Sequence, residues 1–380
     1  MKENFQTGNL TSAGTFNKQQ TIRNAVCLCT DRKMLIPALF VADAVKSFAK
    51  GSDHSFDTII FAEPSEVTDV HRSWMEQRGI LFCEDMDMSR QRGVGKFIER
   101  LSTATMMKLF LAEHLAGRYD KIFYLDCDLT IHGDISSIFS LDTAPFALAA
   151  VPSGRVWTGL NKKVHDDFND HCHKLGMTKP YRFFNTGVLY IDVERWNSEK
   201  LGERALEFIR QNTELCSLPD EHALNAILDG NIAQLSPIWN TAPSPRWQKI
   251  KNGKSSAVII HHMGDQKPWR RFVYGKPLFF PDLTAYCCYK DFLKDSPWPE
   301  WLDEQWGWRD LYMNIRGEVA RILRMLRLRS KWEEPSARQR KAYNDAVRQY
   351  HVEARFFDLE QGIVIRENGK LRLKNKIVTI

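Results

Sequence analysis

The sequence predicts an α/β fold with a mixed, mostly parallel central sheet and a smaller helical C-terminal region. Two observations predict it. Between Ala25 and Ile260, short apolar runs alternate with stretches of helical periodicity, as in a sheet covered on both faces. Beyond Arg271 the composition turns rich in tryptophan and arginine, which marks a different region.

In chain order, residues 1–20 are polar and read as a flexible lead-in. Ala25-Val26-Cys27-Leu28-Cys29 is a buried strand that runs through Thr30-Asp31 into a helix. That helix carries Met34, Ala38, Val41, Ala42, Val45 and Phe48 at helical spacing. Thr58–Phe61 and Ile80–Phe82 are strands, Ser102–Ala116 is a helix, and Lys121–Leu125 is the next strand. Phe146–Val151 and Gly187–Ile191 follow as strands, Leu224–Leu228 as a short helix, and Ala257–Ile260 as the last strand. The organisation expected is a lead-in, an α/β domain over 21–271, a Trp-rich and basic amphipathic segment over 272–335, and a tail over 336–380. In the tail, residues 336–358 read as helical, and Asn368-Gly369 between two apolar runs signals a two-residue hairpin.

Bulk composition narrows the class. With 380 residues, 43% of them hydrophobic and 26% charged, the chain can bury a core of ordinary size without staples. Eight cysteines at irregular spacing, with no CxxC pair, read as reduced thiols of a cytosolic protein. Met1–Gln20 has no apolar core of a secretion signal, and no apolar run is long enough to span a bilayer. The net charge of +6 is concentrated between Arg316 and Lys331. Such a local patch points to an anionic surface and not to nucleic acid.

Candidate chemistry gathers at the end of the Lys121–Leu125 strand. Asp126-Cys127-Asp128 places two carboxylates on one side of an extended chain. With no Lys or Arg between them they repel unless a cation joins them, and oxygen ligands suit Mg²⁺ or Mn²⁺. The end of a parallel strand is also where such sheets bind ligands. Further along, Asn185-Thr186-Gly187 leads into a strand and Asp220-Glu221 leads into a helix. The segment His261-His262-Met263-Gly264-Asp265-Gln266-Lys267-Pro268-Trp269 closes the last strand. There an imidazole can complete a metal site, Gly264 permits close backbone approach, and Lys267 can reach a phosphate.

These segments together resemble glycosyltransferase family 8, the retaining UDP-sugar enzymes that include lipopolysaccharide glucosyl- and galactosyltransferases. The resemblance covers about residues 22–271. It rests on Tyr124-Leu125-Asp126-Cys127-Asp128 followed by Gly133-Asp134, on Phe184-Asn185-Thr186-Gly187-Val188, and on His261-x-x-Gly264-x-x-Lys267-Pro268-Trp269. It implies a GT-A fold and Mn²⁺ (Mg²⁺ as the alternative) held by Asp126, Asp128 and His261. It also implies a UDP-sugar donor contacted by Asp31, Lys108, Asn185, Gly264 and Lys267, with Asp220 beside the transferred hexose. The acceptor implied is a saccharide or lipid-linked saccharide. Two positions depart from the family pattern: Lys108 stands where Arg is usual, and Asp220-Glu221-His222 where D-Q-D is usual. A point charge replaces a bidentate fork in the first case, and an extra carboxylate arrives in the second. Retention through attack from the leaving-group side is expected, with Glu221 or Asp220 as a covalent nucleophile the alternative.

Rival readings share some of these residues. Asp126-Cys127-Asp128-Leu129-Thr130 also satisfies D-x-D-x-T, the opening motif of haloacid-dehalogenase-like phosphatases. A non-catalytic membrane-surface adaptor is the other rival. His165, Asp166, Asp170, His171, Cys172 and His173 have the composition of a metal site, but their spacing reads as a solvated helix face. His262, next to His261, reads as a core or supporting residue. The stretch Trp298–Trp332 reads either as packing on the α/β domain or as an interfacial element lying on anionic lipid. The second reading is preferred, and it makes the protein a cytoplasmic one at the membrane's inner face.

Overall fold

The computed structural model describes residues 10–11, 23–49, 56–86, 104–153, 162–241, 257–263, 267–269 and 283–305, with single positions from 307 to 326 and the strands of 364–378. The readings made for Gly264 and for residues 336–358 lie outside these residues.

The chain begins the sheet with β1 (Leu10–Thr11), β2 (Asn24–Cys29), β3 (Asp57–Phe61), β4 (Leu81–Cys83) and β5 (Lys121–Leu125). It continues with β6 (Leu129–Ile131), β7 (Leu148–Pro152), β8 (Phe184–Asp192), β9 (Ala233–Gln234) and β10 (Ile259–His261). Three tail strands follow: β11 (Val364–Glu367), β12 (Lys370–Leu373) and β13 (Lys376–Val378). The central sheet runs β1-β4-β3-β2-β5-β8-β7-β9-β11-β12-β13. Strands β4, β3, β2 and β5 are parallel, whereas β8 runs antiparallel to both β5 and β7. The sheet is therefore mixed, as expected.

Strand period two divides the side chains between two cores. From β2, Val26 and Leu28 enter one core, while Ala25, Cys27 and Cys29 enter the other. From β5, Phe123 and Leu125 join the first, and Ile122 and Tyr124 the second. Helices Leu35–Phe48 and Asp69–Gln77 supply residues to the first core, and Leu201–Gln211 and Pro219–Leu228 to the second. Each fully buried Leu, Ile or Phe stabilises this three-layer arrangement by about 1.5–3 kcal/mol.

Two expectations change in detail, and a third is met with an added partner. The helix expected over Ser102–Ala116 is two short helices, Ala104–Met107 and Leu111–His114, joined by a tight turn at Lys108–Phe110. Its cause lies far along the chain. The Leu109 carbonyl accepts a hydrogen bond from Trp196 Nε1 at 3.3 Å. A Cβ on Gly202 would come within 2.3 Å of that same oxygen, so only glycine lets the Leu201–Gln211 helix seat there. The last strand expected in the domain does not join the main sheet. It is β10, displaced to Ile259–His261; it forms a separate two-stranded ribbon with β6, with His261 opposite Leu129, and Ile260 bridges to Thr241 on its other side. Finally, the hairpin expected in the tail forms with Glu367 opposite Lys370 around Asn368-Gly369, and Val364 pairs with Gln234 of β9. The tail thereby extends the central sheet.

The Trp-rich segment divides. Helix Leu283–Lys294 packs on the first core, with Tyr289 stacked on Phe40 at 3.8 Å. Trp298 lies against Trp74, and Trp301 against Trp269. Trp308, by contrast, is 87% exposed. Packing is thus the role of Trp298 and Trp301, and the interfacial reading survives only beyond them. Among the described residues no helix is long and apolar enough to cross a membrane.

Candidate active site

The site forms where the sheet changes direction. β5 ends at Leu125, which lies opposite Val188 of β8. Asp126 continues this pairing, since its N–H donates to Gly187 O at 2.8 Å. The chain then turns through Cys127, whose side chain is buried in the first core, to Asp128 and into β6. Because β10 pairs with β6, His261 arrives beside Asp128, and the His262 N–H donates to Asp128 O at 2.9 Å. A strand end, a tight turn and a two-stranded ribbon thus bring together residues more than a hundred positions apart.

Ligand atoms of Asp126, Asp128 and His261 all lie within 4.8 Å of one another. His261 Nε2 is 3.1 Å from Asp128 Oδ1 and 3.8 Å from Asp126 Oδ2. Adjacent ligands on an octahedral ion with bonds of ~2.1 Å sit about 3 Å apart, so the set fits a hard divalent cation. Space for it depends on Gly187. A Cβ there would stand 2.1 Å from His261 Cε1 and 2.8 Å from Asp126 Oδ2. The donor set of two carboxylates and one imidazole suits Mn²⁺ or Mg²⁺ and lacks the thiolates of a structural zinc site.

Charge in the site is closely compensated. Burial acts to raise the Asp128 carboxyl, but His261 and Lys267 outweigh it and hold the group well below the usual range. Burial acts to lower His261, but Asp128 outweighs that and the imidazole is raised. Lys267 Nζ donates to Asp128 Oδ2. His262 is different: burial pushes it down to about 3, so it stays neutral and hydrogen-bonds the Thr130 hydroxyl at 3.1 Å. Its supporting role is the one expected.

Lys108 is buried behind the carboxylates. Its Nζ lies 3.2 Å from Asp126 Oδ1, 2.8 Å from Asp220 Oδ2 and 3.3 Å from Thr186 O. The ammonium also sits 4.7 Å from the centre of the Tyr124 ring, and Tyr124 OH donates to Asp126 Oδ1 at 2.6 Å. Burial opposes the charge, but Asp126 and Asp220 more than compensate, and the lysine is raised. Its three protons are therefore spent inside the protein, and Asp220, which also accepts from Thr186 Oγ1, faces Lys108.

A second network runs from Glu221 to the imidazole. The Gly187 N–H donates to Asn185 Oδ1 at 3.0 Å, which fixes how that amide is turned. Asn185 Nδ2 then donates to Glu221 Oε2, and Asn240 Nδ2 donates to Asn185 Oδ1, both at 2.8 Å. Asn240 Oδ1 is left facing His261 Nδ1 at 3.1 Å, which makes Nδ1 a donor and leaves Nε2 facing the carboxylates, where it would give up its proton to serve as a ligand to a bound cation. At 221 this network needs only an acceptor, so Glu fills the place where the family pattern has Gln.

The structure thus gathers Asn185, Asp220, Glu221, Lys108, Asp126, Asp128, His261 and Lys267 in one place. Asp31 lies just beyond β2, where its Oδ1 accepts from the N–H groups of Lys33 and Met34 at 2.9 Å and shapes the turn that precedes the helix Leu35–Phe48. Gly264 lies outside the described residues. Asn240 was not foreseen; its one signal is that a polar Asn-Thr pair follows the apolar Ile238-Trp239 and is nevertheless buried. The His- and Asp-rich helix Lys162–Lys174 holds no metal-ligand cluster among the described residues, and Cys172 packs into a small third core.

Fold and site together are those of a glycosyltransferase. Residues 26–272 match the sequence profile of glycosyl transferase family 8. The chain belongs to that family, and this sets aside the phosphatase reading of Asp126. Among characterised proteins it is 28% identical over 207 residues to lipopolysaccharide 1,2-glucosyltransferase of Escherichia coli, covering 52% of this chain and 56% of that one. It is also 28% identical over 162 residues to general stress protein A of Bacillus subtilis, covering 39% and 52%. The chain thus spans about half the length of these relatives. Among solved structures it is similar to the galactosyltransferase LgtC in complex with donor and acceptor sugar analogues. That likeness has a TM-score of 0.56 at 18% identity and covers 72% of this chain and 96% of that one.

Proposed function

We propose that the protein is a retaining, Mn²⁺-dependent hexosyltransferase. It moves glucose or galactose from a UDP-sugar to a hydroxyl of a saccharide or lipid-linked saccharide. The observation that carries this is the convergence of Asp126, Asp128 and His261 around the space that Gly187 keeps open. The related lipopolysaccharide glucosyltransferase supports the sugar and acceptor class.

A divalent cation bound there would neutralise charge developing on a departing diphosphate. The protein's own residues do the rest. Lys267, with a quarter of its side chain exposed, is the cation placed to meet a phosphate. Lys108 bridges Asp126 and Asp220 and fixes both in place. Asn185 and Glu221 present polar groups where the transferred hexose would lie, and Asp31 marks the nucleoside end at the mouth of β2. Front-side attack, with the departing phosphate taking the acceptor's proton, remains the preferred course to retention; a glycosyl adduct trapped on Glu221 would reverse that preference.

The test is thermal stability with UDP and a panel of UDP-sugars, in Mn²⁺ and then in EDTA. Saturation at a hundred times Kd adds about 2.7 kcal/mol, a shift of about 3 °C for a chain of this size. The shift should require Mn²⁺ and vanish in Asp128→Ala. Absence of a shift with every nucleotide would sink the proposal.

One observation also supports contact with an anionic membrane surface. Trp308, Leu311, Tyr312, Ile315, Ile322 and Leu326 are exposed large apolar residues at helical spacing, interleaved in the sequence with arginines. Vesicles of anionic phospholipid should bind the wild type, and reversing the charges of Arg321, Arg324 and Arg327 should release it. Equal binding by both would refute the contact.

A further inference from the structure

A second cluster of metal-ligand side chains lies outside the sugar site and shares no residue with it. Cys83 ends β4, Asp85 follows two residues later, and His114 closes the short helix Leu111–His114. Cys83 Sγ is 3.2 Å from Asp85 Oδ1 and 3.1 Å from His114 Nε2. The third side of the triangle, His114 Nε2 to Asp85 Oδ1, is 3.5 Å. Three different donor types therefore meet at one point, each within reach of the other two.

We propose that Cys83, Asp85 and His114 form a zinc site that fastens the edge of the sheet to the segment carrying Lys108. Zinc bonds of ~2.3 Å to sulfur and ~2.0–2.1 Å to nitrogen and oxygen, at tetrahedral angles, separate ligand atoms by about 3.3–3.6 Å. The observed triangle lies within a few tenths of an ångström of that. A thiolate with an imidazole selects zinc over the hard cations that suit Asp126 and Asp128. The thiol gives up its proton to solvent on binding, so one Zn²⁺ enters as one H⁺ leaves.

Access and purpose both follow from the surroundings. Cys83 is 1% exposed, but the Asp85 side chain is 28% exposed and opens a path for the ion and for a water as fourth ligand. The His114 ring is held edge-on against Phe61. Among the described residues, β4 pairs on its outer side with the two-residue β1. His114 lies one short helix beyond the Lys108–Phe110 turn. A bond from Cys83 to His114 through zinc therefore ties the buried lysine's segment to β4.

The experiment uses the full chain, stripped of metal and titrated with Co²⁺. Wild type should develop thiolate-to-cobalt charge-transfer absorption in the near ultraviolet, which an all-oxygen-and-nitrogen site cannot produce. Zn²⁺ should compete it away. The band should persist in Asp128→Ala and in the Cys287→Ser/Cys288→Ser double variant, whose two cysteines are exposed. It should be lost in Cys83→Ser. Absence of the band in wild type, or its survival in Cys83→Ser, overturns the proposal. If Cys83→Ser does not fold, His114→Gln keeps the thiol. It should weaken Zn²⁺ binding at least about tenfold, the lower figure for losing even an outer-shell partner. Unchanged affinity in that variant also overturns the site.

Discussion

Gly187→Ala should abolish Mn²⁺ binding and lower kcat/KM at least about 100-fold, the scale on which displacing a reacting group by ~1 Å acts. Backbone strain plays no part, because Gly187 is not in the left-handed region. The effect is spatial. The new methyl would stand 2.1 Å from His261 Cε1, and the imidazole cannot retreat without leaving Asn240. Binding is measured by the loss of the free Mn²⁺ signal in electron paramagnetic resonance. Some stability, about 1–3 kcal/mol, should be lost as well through overpacking. A variant that folds and binds Mn²⁺ like wild type would show that the ligands gather elsewhere.

Lys108→Met should cost about 3–5 kcal/mol of stability, the range for removing one partner of a buried ion pair. The substitution keeps length and removes charge, leaving Asp220 and the inner oxygen of Asp126 uncompensated. The sign with pH follows from the raised lysine. Its contribution is fully present below the unfolded lysine value of about 10.4 and is lost only as pH rises through the higher folded value. The deficit should therefore be constant across the neutral range, read from denaturant midpoints. Mn²⁺ affinity should hold or increase, because the site has become more negative. A fall in Mn²⁺ affinity without a loss of stability would mean that Lys108 faces the ligand and not the carboxylates.

Much of the site was legible because its chemistry follows residue type and short spacing. Asp126 and Asp128 after an apolar strand, and His261 and Lys267 around one short motif, each announce a role. So does Asn368-Gly369, whose flanking residues Glu367 and Lys370 pair across it. What was hidden depends on partners far away in sequence. Trp196 and Gly202 break the helix at Lys108, and no local propensity at Met107 or Leu109 reveals them. Lys108 itself read as a cation for the donor, because nothing near it in sequence shows that Asp220 and Thr186 will take up its protons. Asn240 was silent for the same reason: its importance lies in an amide oriented by Gly187 through Asn185. The tryptophans misled as a group, since Trp298 and Trp301 answer to the core and Trp308 does not.

The pairing of β5 with β8 has one more consequence. Slipping an antiparallel pair by a single residue turns each side chain to the opposite face. Here such a slip would bring Thr186 or Val188 alongside Asp126 in place of Gly187, and the pocket between Asp126 and His261 would be filled. The ligand triad can therefore close only on a correctly aligned sheet. Formation of the triad and correct assembly of the sheet are thus one and the same event.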